Sequence, residues 1–134
     1  MTFGVIEKEE PILGRLIALA FKSEGHDCLV LRDGAHAARI LSGIRLDAIV
    51  VDIELPGLNG VEWLETVVAA WPDLPRRTLL LAHTALTPRE AARIKRLGAE
   101  VVFRPISIES VKRLVRGCLE KAGTEQDTRV AFLH

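Results

Sequence analysis

Short apolar runs alternate along the chain with longer segments in which apolar residues recur at helical spacing. The apolar runs cover residues 3–6, 28–31, 48–51, 79–82 and 101–103. Runs of this length without polar alternation are typical of strands that are buried on both faces of a parallel sheet. Because these runs alternate with helical segments, the pattern predicts five βα units in a doubly wound α/β fold with helices on both faces.

The helical segments have recognisable start and stop signals. The clearest start is at Thr87, where a threonine cap precedes Pro88 in the first turn and Glu90, which can reach back to the cap. Gly98 is the matching stop. The predicted helices cover residues 11–24, 35–43, 61–71, 87–97 and 107–119. Residues 123–134 have no clear pattern, and the sequence leaves open whether their apolar part docks on the domain.

Composition narrows the class of protein. The 134 residues are enough for one domain, and 49% of them are hydrophobic. The 18 basic and 18 acidic side chains cancel, so net charge does not indicate a nucleic-acid partner. There is no apolar run long enough for a membrane span and no signal-peptide pattern at the N-terminus. Cys28 and Cys118 have apolar neighbours, which is typical of reduced thiols, so we expect a cytoplasmic protein without a membrane partner.

Acidic side chains follow two of the predicted strands. Asp52 ends the run 48–51 and is followed by loop-forming residues at 56–60, while Glu7, Glu9 and Glu10 follow the first run. If these strands are neighbours, their carboxylates share a crevice at the carboxyl edge of the sheet, where ligands bind in open α/β folds. Mg²⁺ would relieve the repulsion there, and a carboxylate beside it can attack phosphorus. The simpler alternative is a solvated acidic edge.

Several of these features occur together in the order typical of one family. They are an acidic cluster ahead of Pro11, Asp52 with its Asp-x-x-x-Pro-Gly-x-x-Gly loop, Thr84-Ala85, Gly98-Ala99 and Arg104-Pro105. Over residues 3–122 the chain resembles the receiver domain of bacterial two-component response regulators. The resemblance implies a flavodoxin-like three-layer sandwich with parallel strand order 2-1-3-4-5. It divides the chain into a receiver-like domain, 1–122, and a C-terminal tail, 123–134.

The resemblance also implies a site and partners. Asp52 is the expected phosphoacceptor, phosphorylated by a partner histidine kinase or phosphotransfer protein. Mg²⁺ is expected between an acidic pair after the first strand, the Asp52 carboxylate and the backbone carbonyl of Glu54. Thr84 and Arg104 are expected to contact the phosphoryl group.

The acidic pair departs from the family pattern. Counting back from Pro11 places it on Lys8-Glu9, and a slip of one residue backward still includes Lys8. Only a forward slip, to Glu9-Glu10, restores two acids. We therefore expect Glu9 to be a metal ligand, with Lys8 and Glu10 as further candidates, and we expect the lysine to weaken Mg²⁺ binding.

Three other positions differ as well. Arg104 replaces the family's lysine, and its rigid guanidinium is not equivalent to an ammonium. Counting back from Gly98 places His83 at the hydroxyl position, whereas closing one residue of the loop places Thr84 there. We favour Thr84 because Thr-Ala is the family's pair, and keep His83 as the alternative. The switching aromatic of the fifth strand is replaced by Val101 or Val102.

Two functions fit these observations. The first is a receiver domain, not an enzyme, that accepts phosphate on Asp52 and relays the signal through its fourth helix, fifth strand and fifth helix. Residues 86–121 contain nine Lys/Arg and four Glu, so this basic face could dock an acidic partner or form a homodimer, or be a solvated surface. The alternative is a phosphorylation-independent interaction module, favoured by Lys8 and Arg104. A flavin- or nucleotide-binding protein is disfavoured because the first strand lacks a glycine-rich turn.

Overall fold

A parallel sheet organises the part of the chain that the computed structural model describes, which is residues 3–4, 19, 22–23, 25, 27–31, 33–55, 58–103, 109, 113, 116–117 and 129–133. Its six strands are β1 (Phe3–Gly4), β2 (Asp27–Leu31), β3 (Ala48–Asp52), β6 (Thr78–Ala82), β7 (Glu100–Phe103) and β8 (Arg129–Leu133). They lie in the order β1-β2-β8-β3-β6-β7, and every neighbouring pair is parallel. A separate antiparallel hairpin is formed by β4 (Glu54–Leu55) and β5 (Leu58–Asn59).

Three α-helices lie within the described ranges: α1 (Gly34–Gly43), α2 (Gly60–Val67) and α3 (Pro88–Leu97). A 3₁₀ turn, Leu74–Arg77, leads into β6. The capping box at the start of α3 is confirmed, because the Thr87 hydroxyl accepts from the Glu90 N–H while the Glu90 carboxylate accepts from the Thr87 N–H. Gly98 ends this helix with a left-handed φ of 83°, a conformation that glycine adopts without strain. Most of the predicted first and last helices lies outside the described residues.

The core lies against the inner strands. All five residues of β3 and all five of β6 are buried, as the uninterrupted apolar runs predict. Side chains from all three helices belong to the same buried cluster, among them Leu41 of α1, Leu64 of α2 and Ile94 of α3. Trp63 of α2 is also buried, and its indole N–H donates to the carbonyl of Gly34 at 3.0 Å. This hydrogen bond joins the start of α1 to α2.

One strand in the sheet, β8, is not part of the expected order 2-1-3-4-5, and it pairs with both β2 and β3. β1 pairs with β2, Phe3 with Cys28 and Gly4 with Leu29, and its Cα atoms also come within 8 Å of β8 and β3. β8 comes from the stretch that the sequence left unassigned, so this part of the tail docks as a strand.

The pairing of β8 explains how it is held. An inner strand of a parallel sheet must satisfy backbone groups on both of its edges. β8 does so by pairing five residues with β2 and four with β3.

Candidate functional site

Asp52 is the last residue of β3 and lies at the carboxyl edge of the sheet. Only 3% of its surface is exposed, and one carboxylate oxygen, Oδ1, accepts from the backbone N–H of Glu54 at 2.7 Å. The next residue, Ile53, donates its N–H to the carbonyl of Leu81 at 3.0 Å, so the chain is still attached to β6 where it leaves the sheet. The carboxylate is therefore held in place by backbone contacts rather than extended into solvent.

His83 contacts the other oxygen of this carboxylate. It follows β6 directly, and its Nε2 lies 2.5 Å from Asp52 Oδ2. With the carboxylate oxygen as acceptor, the histidine tautomer that carries its proton on Nε2 donates in this pair. The structure therefore brings to Asp52 the histidine that gap-free counting placed at the hydroxyl position. Both oxygens of Asp52 have a partner within the protein.

The hairpin after Asp52 fixes the start of α2. Asn59 caps this helix, its side-chain oxygen accepting from the Val61 N–H at 2.8 Å. Gly60 donates its N–H to the Ile53 carbonyl at 2.7 Å. A Cβ at Gly60 would lie 2.4 Å from the backbone oxygen of Asp52, closer than real Cβ contacts allow. Glycine is thus required here because the helix start packs directly on the backbone of the acidic residue.

Thr84 lies on a small cavity next to this pair. The cavity has a volume of about 140 Å³ and its lining includes Glu54, Asn59, His83 and Thr84, together with Glu90 from α3. Thr84 and Glu54 are both exposed. The cavity is polar and open to solvent, and its lining begins at Ile53, the residue after Asp52.

The remaining expected site residues, Lys8, Glu9, Glu10 and Arg104, lie outside the described residues. β7 ends at Phe103, opposite Ala82 at the end of β6, so this strand reaches the same edge of the sheet as Asp52. β1 pairs with β2, and Cα atoms of β1 come within 8 Å of β3. The first and third strands are therefore close to each other, although the strand hydrogen-bonded to β3 on this side is β8.

The described residues do not complete a divalent-cation site. Within the described ranges no group of three or more His, Cys, Asp or Glu is arranged to hold a metal. Asp52 and the chain at Glu54 are in place, and the third expected ligand, Glu9, lies outside the described residues. The described donors alone therefore do not make up the ligand set expected for Mg²⁺.

Sequence reasoning missed the contact between Gly60 and the Asp52 backbone, although it identified Gly60 as part of the loop motif. A glycine that directly precedes an apolar helical stripe is the signal that could have indicated a close approach. It also missed the bond from Trp63 to Gly34, for which the sequence offers no signal, because the two residues are joined only by the fold.

A parallel α/β sheet with a buried carboxylate at the carboxyl end of an inner strand defines a class of proteins that bind or react at that edge. Comparison with known proteins narrows the class. The family model of the response regulator receiver domain matches residues 5–116. The chain is 30% identical over 119 residues to the "Probable transcriptional regulatory protein TcrX" of Mycobacterium tuberculosis, covering 89% of this chain and 50% of that protein.

Solved structures agree on the fold. The receiver domain of the Francisella response regulator 1452 superposes with a TM-score of 0.75 at 20% identity, covering 91% of this chain and 99% of that one. The receiver domain of a signal transduction histidine kinase from Syntrophus aciditrophicus superposes with a TM-score of 0.74 at 24% identity, covering 96% and 98%. The α/β, flavodoxin-like class is therefore confirmed.

The chain belongs to the response regulator receiver domain family. The typical function of this family is phosphorylation-dependent relay in two-component signalling, where receiver domains interact with histidine kinases. Receiver domains are generally signalling modules without enzymatic activity, and they generally bind Mg²⁺ in an acidic pocket. The chain spans half the length of TcrX. Within the described ranges, no helix is long and apolar enough to cross a membrane.

Proposed function

We propose that this receiver domain accepts a phosphoryl group on Asp52. The observation that supports the proposal is the position of this carboxylate: it is buried at the carboxyl end of β3, beside an open polar cavity, with His83 on one oxygen. A carboxylate held in this way is oriented for attack on a donor that enters the cavity. Residues 1–122 form the receiver-like unit of this proposal, with β8 of the segment 123–134 added to its sheet.

The reaction is a transfer between two nucleophiles. An oxygen of Asp52 forms a bond to phosphorus while the bond from phosphorus to the donor's histidine nitrogen breaks, and the electron pair stays on that nitrogen. Oδ2 must leave the hydrogen bond with His83, or His83 must turn its N–H to a phosphoryl oxygen. Thr84, on the cavity wall, is the further candidate donor to the phosphoryl group, and Arg104 the candidate cation.

The proposal also includes a metal ion beside Asp52. Mg²⁺, when bound, would neutralise charge on the phosphoryl oxygens, and its ligands here would be Asp52, the Glu54 carbonyl and Glu9. The described residues supply the first two, and Glu9 lies outside them. Lys8 next to Glu9 would lower the affinity through charge repulsion with the cation.

The proposed partners are a histidine kinase or phosphotransfer protein for phosphorylation and an acidic protein or a second copy for output. The output surface would be the basic face, which includes α3 and β7 and continues into residues 107–119. The nine Lys/Arg of residues 86–121 support this choice. We propose no enzymatic activity beyond the transfer to Asp52, no nucleic-acid partner and a cytoplasmic location.

The test is incubation of the chain with Mg²⁺ and a small-molecule phosphodonor, followed by intact-mass measurement. We expect the mass of one added phosphoryl group in wild type and none in Asp52→Asn. Asp73→Asn is the matched control, because Asp73 is exposed and makes no side-chain cap on the 3₁₀ turn. Uptake that survives Asp52→Asn, or is absent from a folded wild type, would contradict the proposal.

A second function is favoured by one observation. Both oxygens of Asp52 are already engaged, by the Glu54 N–H and by His83, so the carboxylate could serve only to hold the loop. In that case the domain is a phosphorylation-independent interaction module. Wild type and Asp52→Asn would then bind the partner equally well, because the amide oxygen of the asparagine can still accept from the Glu54 N–H.

A further inference from the structure

An open groove between α2 and α3 is separate from the cavity at Asp52. It has a volume of about 560 Å³, and its lining consists of Glu65, Val68, Arg89, Arg93, Arg96 and Leu97. We call it the arginine groove. None of these six residues lines the cavity at Asp52, to which α3 contributes Glu90. The groove is therefore a second feature of α3, and the proposed phosphoryl transfer does not use it.

Positive charge dominates the arginine groove, because three arginines and one glutamate line it. The arginines occupy positions 89, 93 and 96 of α3, a spacing that puts them on one face of the helix. At 1.5 Å per residue, the first and last lie about 10 Å apart along the helix axis. Val68 and Leu97 are half-buried. The lining thus combines a row of guanidinium groups with an apolar contact surface.

Within the described ranges, only the middle arginine of the row is paired. Arg93 donates from Nε to Glu65 Oε2 at 3.2 Å and from Nη2 to Oε1. The pKa of Glu65 is lowered, first by this hydrogen bond and then, against partial burial, by arginine charges that include those of Arg96 and Arg89. Both outer arginines are exposed. One glutamate therefore faces three arginines, and the outer two are available to a binding partner.

We propose that the arginine groove binds an acidic amphipathic helix of a partner protein, whose carboxylates pair with Arg89 and Arg96. Carboxylates seven positions apart on a helix have the same separation of about 10 Å as these two arginines. On an extended strand, side chains of one face lie about 7 or 14 Å apart, and neither distance matches. An apolar side chain of the partner helix, between its carboxylates, contacts Val68 and Leu97. The inference rests on the acidic partner of the proposed function and not on phosphoryl transfer to Asp52.

Glu65 acts as a built-in competitor for this partner. Its carboxylate holds the guanidinium of Arg93 in the middle of the row, so a third acidic residue of the partner helix has to displace it. Because the pair is partly exposed, replacing one carboxylate by another costs little. Removal of the Glu65 charge should therefore strengthen partner binding although it slightly weakens the fold. A purely structural role would weaken both.

The test uses a fluorescently labelled alanine-based peptide of about 20 residues, long enough to form a helix in water. The peptide carries glutamates at positions i, i+4 and i+7 and a leucine at i+3, and a scrambled peptide of the same composition is the control. Fluorescence anisotropy measures binding to the full chain. We expect the double variant Arg89→Gln/Arg96→Gln to bind the peptide about five- to tenfold more weakly than wild type. Arg39→Gln, at an exposed arginine of α1, should change binding less than about twofold.

The competitor is tested with the same peptide. Glu65→Gln should strengthen binding about two- to fivefold, because it frees the third guanidinium. Glu62→Gln is the matched control, since it removes the same charge from α2 at an exposed residue that does not line the groove, and it should change binding less than about twofold. Phosphoryl uptake is measured on the same variants.

The outcomes separate this inference from the role of Asp52. Equal binding of the scrambled peptide, an unaffected double variant, or weaker binding by Glu65→Gln than by wild type would overturn the arginine groove. The expected ranking of peptide affinities without phosphoryl uptake in any variant would support the groove and contradict phosphorylation of Asp52. Phosphoryl uptake in wild type without peptide binding would support Asp52 and overturn the groove.

Discussion

The two strands that pair with β3 differ in how well the sequence predicts them. On one side, β6 follows β3 through a hairpin, a helix and a 3₁₀ turn, and pairs from Ile49 with Thr78 to Asp52 with Leu81. On the other side lies β8, which comes from the opposite end of the chain and pairs from Ala48 to Val51. The sequence predicts the strand that forms β6, whereas it assigns no pattern to the segment that forms β8.

The difference shows what local patterning can and cannot decide. Bringing together distant parts of a chain costs only slightly more entropy than bringing together near ones. A segment from the far end of the chain can therefore take an inner position, as β8 does. β6 follows β3 with only the hairpin, α2 and a 3₁₀ turn between them, and there the pairing follows chain order.

The largest effect is expected from weakening the packing of β6 next to β3. Leu80 is fully buried and pairs with Val51, so Leu80→Ala should lower the free energy of unfolding by about 2–5 kcal/mol through lost burial and a residual cavity. Denaturant unfolding measures it. Leu58→Ala makes the same change at a residue that is 38% exposed and should cost about 0.5 kcal/mol or less. Similar costs for both would mean that β6 is not the firmly packed neighbour of β3.

A smaller effect is expected where the hairpin meets Asp52. Gly60→Ala pushes a methyl group against the Asp52 carbonyl and should destabilise the fold by about 1–3 kcal/mol through overpacking. It should also slow phosphoryl uptake, because the backbone that holds Asp52 must shift. Gly43→Ala is the control, since nothing lies within 4 Å of its Cβ position. Thermal unfolding of both variants checks the difference, and a neutral Gly60→Ala would contradict the close approach.

The smallest effect is expected on the surface between two helices, where Glu65 of α2 pairs with Arg93 of α3. The bond between Arg93 Nε and Glu65 Oε2 is 3.2 Å long. The hydrogen bond from Arg93 lowers the pKa of Glu65 below its ordinary value of 4.5, partial burial opposes this shift, and Arg93, Arg96 and Arg89 add to it by charge attraction. The pair is partly exposed, so Glu65→Gln should cost less than about 1 kcal/mol near neutral pH.

The lowered pKa of Glu65 determines how the contribution of this ion pair to stability changes with pH. A pKa lowered by folding means that the stabilisation is fully present above the ordinary pKa of 4.5 and is lost as the pH falls through the lowered value. The difference between wild type and Glu65→Gln should therefore vanish in strongly acidic solution, and it should shrink in high salt at neutral pH. A difference that persists in acid would show that the glutamate acts through packing rather than through its charge.

Much of the site was accessible from the sequence. The abrupt end of an apolar run at Asp52 was enough to predict a carboxylate at the carboxyl edge, because strand ends and loop signals are local. The sequence did not decide whether His83 or Thr84 lies beside Asp52. Thr84 fitted the family pattern, and the two alternatives differ by one residue in loop length. The packing of Gly60 on Asp52 could not be derived, because it depends on how the hairpin folds back.

The sequence by itself determined the elements of the fold: the strands around residues 28–31, 48–51, 79–82 and 101–103, the capping box at Thr87 and the end of α3 at Gly98. These depend on periodicity and on hydrogen bonds between residues a few positions apart. Only the tertiary structure decided that residues 129–133 form a strand between β2 and β3, because no local signal marks them as a strand. Their place depends on backbone groups that pair on two sides at once, which is a property of the assembled sheet.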